Sequence, residues 1–209
     1  MSDITIHGFP ASTYTRTARL AAEEKGLAYR LADPEMGTDG YLKLRPFGKM
    51  PAMSHGEVRL FETFAITRYF DEAFDGPALQ PADAGQRAHM TQWVSANVDY
   101  MYPTIVIGLI VPRLLYPQRD VAVDKEALKE NLPAINNQLA IAENVLGSSP
   151  YLAGAEASIA DFFVTPMNAC LPAMPESKAA LAKCPNIQAW QERMSGRGSF
   201  AATQPQLAA

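Results

Sequence analysis

Polar and apolar residues alternate with a period of two in the first third of the chain and recur at helical spacing after it. Ile4 and Ile6 alternate with Asp3 and Thr5, which predicts a short strand. Tyr29 and Leu31 mark a second. Val58 and Leu60 alternate with Glu57 and Arg59, and Ser54-His55-Gly56 before them is turn chemistry, so a hairpin is expected there. Between the first two strands, Ala18, Ala21 and Ala22 share a helix face that Ser12 or Thr13 can cap and Gly26 can stop. Tyr41, Leu42 and Leu44 predict a short helix ended by Pro46. Thr63 stands where a helix N-cap belongs, with Ile66, Tyr69, Phe70 and Ala73 at helical spacing behind it. The predicted order is β-α-β-(α)-β-β-α. Its first crossover implies a parallel, right-handed pair and its last two strands an antiparallel hairpin.

The segment Asp75-Gly76-Pro77-Ala78-Leu79-Gln80-Pro81 has linker composition, and no strand pattern follows it. Asp83 to about Leu115 reads as one long helix or two. Met90, Trp93, Val94, Val98, Met101, Tyr102 and Ile105 lie at core spacing, and Pro103 is expected to kink it. Asp124 to Leu146 is a second long amphipathic helix, into which Pro133 fits poorly. Ser158-Ile159-Ala160-Asp161 is a capping box, with aspartate where glutamate is commoner. Pro185 to Gly196 forms a last helix around Ile187, Trp190 and Met194, and the tail after Phe200 is expected to be weakly ordered. The pattern divides the chain into a small α/β domain, 1–76, and an all-α domain, 82–209.

Composition narrows the partners. The 209 residues are 48% hydrophobic and 19% charged with a net charge of −4, which points to a globular protein and away from nucleic acid and anionic membranes. The longest apolar run, Ile105 to Val111, is interrupted by Gly108 and stopped by Pro112 and Arg113, short of the ~18–20 residues of a membrane span. The first residues lack a basic and then apolar run, so no secretory leader is expected. Cys170 and Cys184 match no metal or redox spacing, and His7, His55 and His89 form no metal motif. Reduced thiols in the cytoplasm and no metal site are the resulting expectations.

Candidate chemistry concentrates between Phe47 and Ile66. A residue preceding a strand proline, here Met50 before Pro51, can offer its N–H and C=O to an extended peptide. Glu62 and Thr63 at a helix start offer a carboxylate to an ammonium group, and a hydroxyl and free N–H groups to a carboxylate. A ligand with both ends of an amino acid and a peptide backbone matches that set. A hairpin feeding a capped helix, with no ligand, accounts for the same residues.

Pro46-Phe47-Gly48-Lys49-Met50-Pro51-Ala52 is followed by Leu60-Phe61-Glu62-Thr63-Phe64-Ala65-Ile66-Thr67-Arg68-Tyr69. The helical half adds Ser158-Ile159-Ala160-Asp161, then Cys184-Pro185-Asn186, Trp190, Arg193-Met194 and Ser199-Phe200. In this order and spacing the motifs resemble the cytosolic glutathione transferase family over essentially the whole chain. The resemblance implies a thioredoxin-like α/β N-terminal domain, an all-α C-terminal domain and a homodimer. It implies a cis Pro51, Met50 paired with the cysteinyl backbone of glutathione, Lys49 near an acidic ligand, and Glu62 and Thr63 on the γ-glutamyl amino and carboxylate groups.

Gly8-Phe9-Pro10-Ala11-Ser12-Thr13-Tyr14-Thr15-Arg16 is similar to the serine-using, phi- and theta-like branches, as in a bacterial member. By that match Ser12 donates a hydrogen bond to the glutathione sulfur. A thiol is nucleophilic as thiolate and has a free pKa of about 8.5, so a hydroxyl donor at a helix N-terminus favours the reactive form. Thr13 and Tyr14 are neighbouring alternatives. Arg16 would add positive potential, or instead tie the helix to the linker. The His-Lys pair that grips the glycyl carboxylate in phi-like proteins is missing near Met36 and Gly37, so either Lys49, Lys43 or Arg45 replaces it or glutathione binds weakly. Asp99, from the partner subunit, or Tyr102 would reach glutathione. Phe9, Tyr14, Tyr100, Tyr102 and Ile105 would line an apolar electrophile pocket, although an aromatic stripe at helical spacing also suits a core.

The implied activity is conjugation of glutathione, as co-substrate, to small apolar electrophiles in detoxification, with no metal. Its rivals are a non-catalytic ligand-binding or assembly protein on the same fold, and another glutathione reaction such as isomerisation, peroxide reduction or dehalogenation.

Overall fold

A computed structural model of the chain describes residues Asp3–Pro205. Two compact units emerge, and the first contains both ends of the described chain. It begins β1 (Thr5–His7), α1 (Thr13–Glu24), β2 (Arg30–Ala32), α2 (Asp39–Leu44), β3 (Ala52–His55), β4 (Val58–Phe61) and α3 (Thr63–Ala73), in the expected order. The sheet runs β2-β1-β3-β4, with β1 parallel to β2 and antiparallel to β3, and β3–β4 an antiparallel hairpin. Ile6 sits opposite Leu31 on one side and Met53 on the other. Ile4, Ile6 and Met53 are buried, as are Ala18, Leu20 and Ala21 of α1 and Ile66 and Phe70 of α3. α1 and α3 pack on each other. Small side chains along α1 permit that close approach.

The expected domain boundary at 82–209 changes at its far end: the described residues from Ser195 onward group with the first unit, leaving Pro81–Met194 as the helical one. The cause is a last helix, α10 (Gly198–Ala202), docked on α1. Arg197 forks onto Glu24 at 2.7 and 2.6 Å, and Arg19 donates to the Thr203 and Ala202 carbonyls at 3.2 and 3.1 Å. Ser199 also donates to Glu24, and Thr203 is fully buried. The tail expected to be weakly ordered after Phe200 is thus anchored through Thr203, while residues 206–209 lie outside the described residues.

In the helical unit, α4 (Ala84–Ala96) continues without a break through a π-helical stretch, Asn97–Ile110, into α5 (Val111–Leu114). The kink expected at Pro103 is instead this widened winding, with Pro103 inside it. Side chains of α6 (Lys125–Leu146) satisfy the carbonyls involved. Asn131 donates to the Thr104 carbonyl at 2.5 Å, Gln138 donates to that of Tyr100 at 3.1 Å, and the Thr104 hydroxyl donates to Gln138 at 2.7 Å. Ala84–Leu114 spans 31 residues and is long and apolar enough, by length and composition, to cross a membrane, contrary to the expectation that no segment qualifies. It presents Met90, Val94, Met101, Ile105 and Leu109 to the core of its unit, as the core helix of a globular fold does. α6 accommodates Pro133 and buries Leu128, Ile135 and Leu139.

α7 (Ile159–Asn168) is buried along its whole length. Its capping box forms, with the Ser158 N–H donating to Asp161 at 2.9 Å. Asp161 also accepts from the Leu152 N–H at 3.0 Å, from Ser158 Oγ at 3.1 Å and from Trp190 Nε1 at 2.8 Å. One buried carboxylate therefore holds a loop, a helix start and the indole of α9 (Pro185–Ser195). The short α8 (Lys178–Leu181) precedes α9.

Candidate active site

β1 ends at His7, and the chain turns through Gly8–Ala11 into α1. Gly8 is required by contact: a Cβ there would lie 2.2 Å from Thr15 Oγ1. Ser12 takes the extended N-cap conformation, φ −68° and ψ 126°, and its Oγ accepts the Thr15 N–H at 3.3 Å. Accepting that bond leaves the hydroxyl proton available to an outside acceptor. Ser12 is half-buried, and the first turn of α1 carries no acidic residue. The positive end of the helix dipole is therefore unopposed in that turn, as an anion requires.

Arg16 is buried. Its Nη2 donates to the Phe200 carbonyl at 3.3 Å, its Nε donates to Thr203 Oγ1 at 3.4 Å, and its guanidinium lies 4.3 Å from the Phe200 ring centre. This geometry fits the tying alternative, with the carboxy-terminal segment in place of the linker. The sequence held no signal for that partner, because the tail looked unstructured.

The second wall is the turn from α2 into β3. The Arg45 N–H donates to the Tyr41 carbonyl at 2.7 Å, and the Arg45 carbonyl accepts from Gly48 N–H at 3.0 Å. The Tyr41 hydroxyl donates to the Lys49 carbonyl at 2.7 Å. The Met50–Pro51 peptide is cis; Pro51 is buried, Met50 half-buried and Lys49 exposed.

At the start of α3, Glu62 rather than Thr63 is the N-cap residue. Its φ of 69° and ψ of 118° are uncommon for a side-chain-bearing residue, and it makes no side-chain cap bond. Thr63, buried, is the first helical residue. The Glu62 side chain is 61% exposed and is held by Arg45 Nη1 at 3.0 Å, while the Arg45 side chain is 7% exposed.

The remaining candidates separate. Phe9 is exposed and Tyr14 half-buried in the first unit. In the helical unit Asp99 and Tyr100 are exposed and Tyr102 is half-buried, with burial raising its phenol pKa. Ile105 is fully buried in the core, so it is corrected from pocket wall to core residue. Met36 and Gly37 lie in the loop before α2, where neither can grip a carboxylate. Among the described residues no three metal-ligating side chains come together.

The family model "Glutathione S-transferase, N-terminal domain" matches residues 6–78, and "Glutathione S-transferase, C-terminal domain" matches 101–197. "Glutathione S-transferase F14" of Arabidopsis thaliana is 35% identical over 196 residues, covering 89% of this chain and 77% of that protein. The chain belongs to the glutathione S-transferase family.

Solved members of the family superpose closely. Glutathione transferase F7 from Populus trichocarpa matches with a TM-score of 0.87 at 27% identity, over 97% of this chain and 99% of its own. The theta class enzyme from Xanthomonas axonopodis pv. citri, solved with glutathione bound, matches at 0.85 and 27%, over 100% and 99%. The fold expected from the sequence, a thioredoxin-like α/β unit with a helical one, is thereby established. The feature that sequence reasoning valued least among those named is Arg45, which entered only as one of three substitutes for a missing carboxylate grip. Its pairing with Glu62 joins residues 17 apart in sequence across a turn, and no local pattern signals that.

Proposed function

We propose that this glutathione S-transferase family member binds glutathione on its α/β unit, keeps its sulfur as thiolate, and adds it to small apolar electrophiles by substitution or addition. Ser12 is the residue that acts on the sulfur, as in the serine-using, phi-like branches. The observation carrying this reading is the Ser12 N-cap: its Oγ accepts Thr15 N–H, so its own proton can be donated to an anion at the α1 N-terminus. The donor stabilises thiolate more than thiol, and catalysis consists of holding two reactants and favouring one charge state.

In this reading Met50 pairs its backbone with the cysteinyl unit, beside the cis Pro51. Glu62 takes the γ-glutamyl ammonium and Thr63 its carboxylate. Lys49, exposed on the same turn, meets the glycyl carboxylate. Arg16 supports the first turn of α1 from behind. Phe9 and Tyr14 of the first unit offer aromatic surface to the electrophile.

Homodimerisation completes the proposal, with Asp99 of one subunit directed to glutathione of the other. Phe47, 70% exposed and edge-on to Phe61 at 5.8 Å, is the apolar group offered to a second copy. The thiols Cys170 and Cys184 suit a reduced, cytoplasmic setting. Conjugation of glutathione to a generic aryl halide tests the activity, with Ser12→Ala alongside. A folded wild-type protein without turnover above background would refute it.

A further inference from the structure

We infer that Arg45 is a positioning residue for the amino end of the ligand: it holds Glu62 aimed at the γ-glutamyl ammonium and so sets selectivity for that group. This rests on the glutathione reading above.

Arg45 is peculiar in three respects. It is a cation buried to 6% exposure on the turn between α2 and β3. Among the described residues its Nε has no hydrogen-bond partner. Its ion-pair partner among the described residues, Glu62, is largely solvent-exposed. A buried guanidinium with an unmet donor weakens a fold, so its placement calls for a role that offsets the loss. The Phe61 ring, 5.6 Å from the guanidinium carbon, supports it from the side.

The geometry explains what that placement does. The Arg45 backbone closes the turn that delivers Lys49, Met50 and Pro51, through Tyr41 on one side and Gly48 on the other. Its side chain then reaches the N-cap of α3 and binds a single oxygen, Oε1, of Glu62. One residue thus ties the backbone-binding edge to the ammonium-binding carboxylate. The Glu62 backbone, at φ 69°, is already fixed in an uncommon conformation. An exposed glutamate otherwise samples many rotamers, and ordering it on binding is unfavourable. Held through Oε1, the carboxylate presents Oε2 in one orientation, which is preorganisation of a charge-assisted hydrogen bond.

The test compares glutathione with an analogue in which the γ-glutamyl α-ammonium is replaced by hydrogen, measuring dissociation constants calorimetrically for wild type, Arg45→Met and Arg45→Lys. Arg45→Met should weaken glutathione about tenfold, in the range seen when supporting partners of ligating groups are removed, and leave the des-ammonium analogue within about twofold. Arg45→Lys, which keeps charge without the fork, should fall between. In a Glu62→Gln background Arg45→Met should have no further effect on glutathione. Equal weakening of both ligands would reduce Arg45 to a structural strut and overturn the inference. So would a loss that disappears with a second analogue lacking the γ-glutamyl α-carboxylate, since Arg45 would then grip that group directly. A wild-type protein that binds no glutathione refutes the underlying reading instead, a result distinct from both.

Discussion

Replacing Asp161 with alanine strands three N–H donors in a buried site: those of Leu152, Ser158 and the Trp190 indole. Asp161 itself is fully buried, so no water substitutes for the lost oxygens unless the surrounding chain opens. A buried donor left without a partner is destabilising by about 1–3 kcal/mol. Relaxation and water entry recover part of the total, so about 3–5 kcal/mol is expected. Asp161→Asn should lie about midway, because one amide oxygen still accepts while its NH2 opposes a remaining donor. Urea unfolding followed by circular dichroism and by tryptophan fluorescence gives both values at constant m. A loss below about 1 kcal/mol for the alanine variant would show that these bonds do not hold the helical unit together.

Three further outcomes follow from other parts of the chain. Burial opposes ionisation of Glu24, but Arg197 and Ser199 prevail and hold its pKa below the ordinary value. The stability it contributes is therefore full above about 4.3 and lost as pH falls through its lower folded value; Glu24→Gln should be less stable than wild type at pH 7, and the difference should shrink as pH falls through that folded value. Gly8→Ala drives a methyl into Thr15 Oγ1 and should destabilise by about 1–3 kcal/mol while lowering activity through the displaced N-cap; adding Thr15→Ala should restore both in part, since the Thr15 Cβ still lies 3.1 Å from the added methyl, measured by thermal unfolding and conjugation rate. Phe47→Ser should shift the chain toward monomer in light scattering with little change in its circular dichroism, and an unchanged mass would remove Phe47 from the interface.

The sequence made the first unit legible because its elements are short, alternate cleanly and are punctuated by Gly and Pro. Element order, hairpin, a cap for α1 at Ser12 or Thr13 and the capping box all follow from local pattern. What it concealed depended on distant partners. The tail carries few large apolar residues, and its order comes from Arg16, Arg19 and Glu24, each more than 170 residues away in sequence. Pro103 signalled a break, yet the π-helical winding depends on Asn131 and Gln138 of another helix. Ile105 shares its spacing with both core and pocket positions, and only packing decides between them. The α3 cap slipped by one residue because an unusual φ at Glu62 has no sequence signature.

The ionisation of bound glutathione tests the central claim most directly. Thiolate absorbance of the saturated complex, titrated across pH, should give a sulfur pKa well below the free value of about 8.5 in wild type and a return toward it in Ser12→Ala. A Ser12→Ala complex that kept the depressed value would contradict the assignment of that hydroxyl as the thiolate's partner.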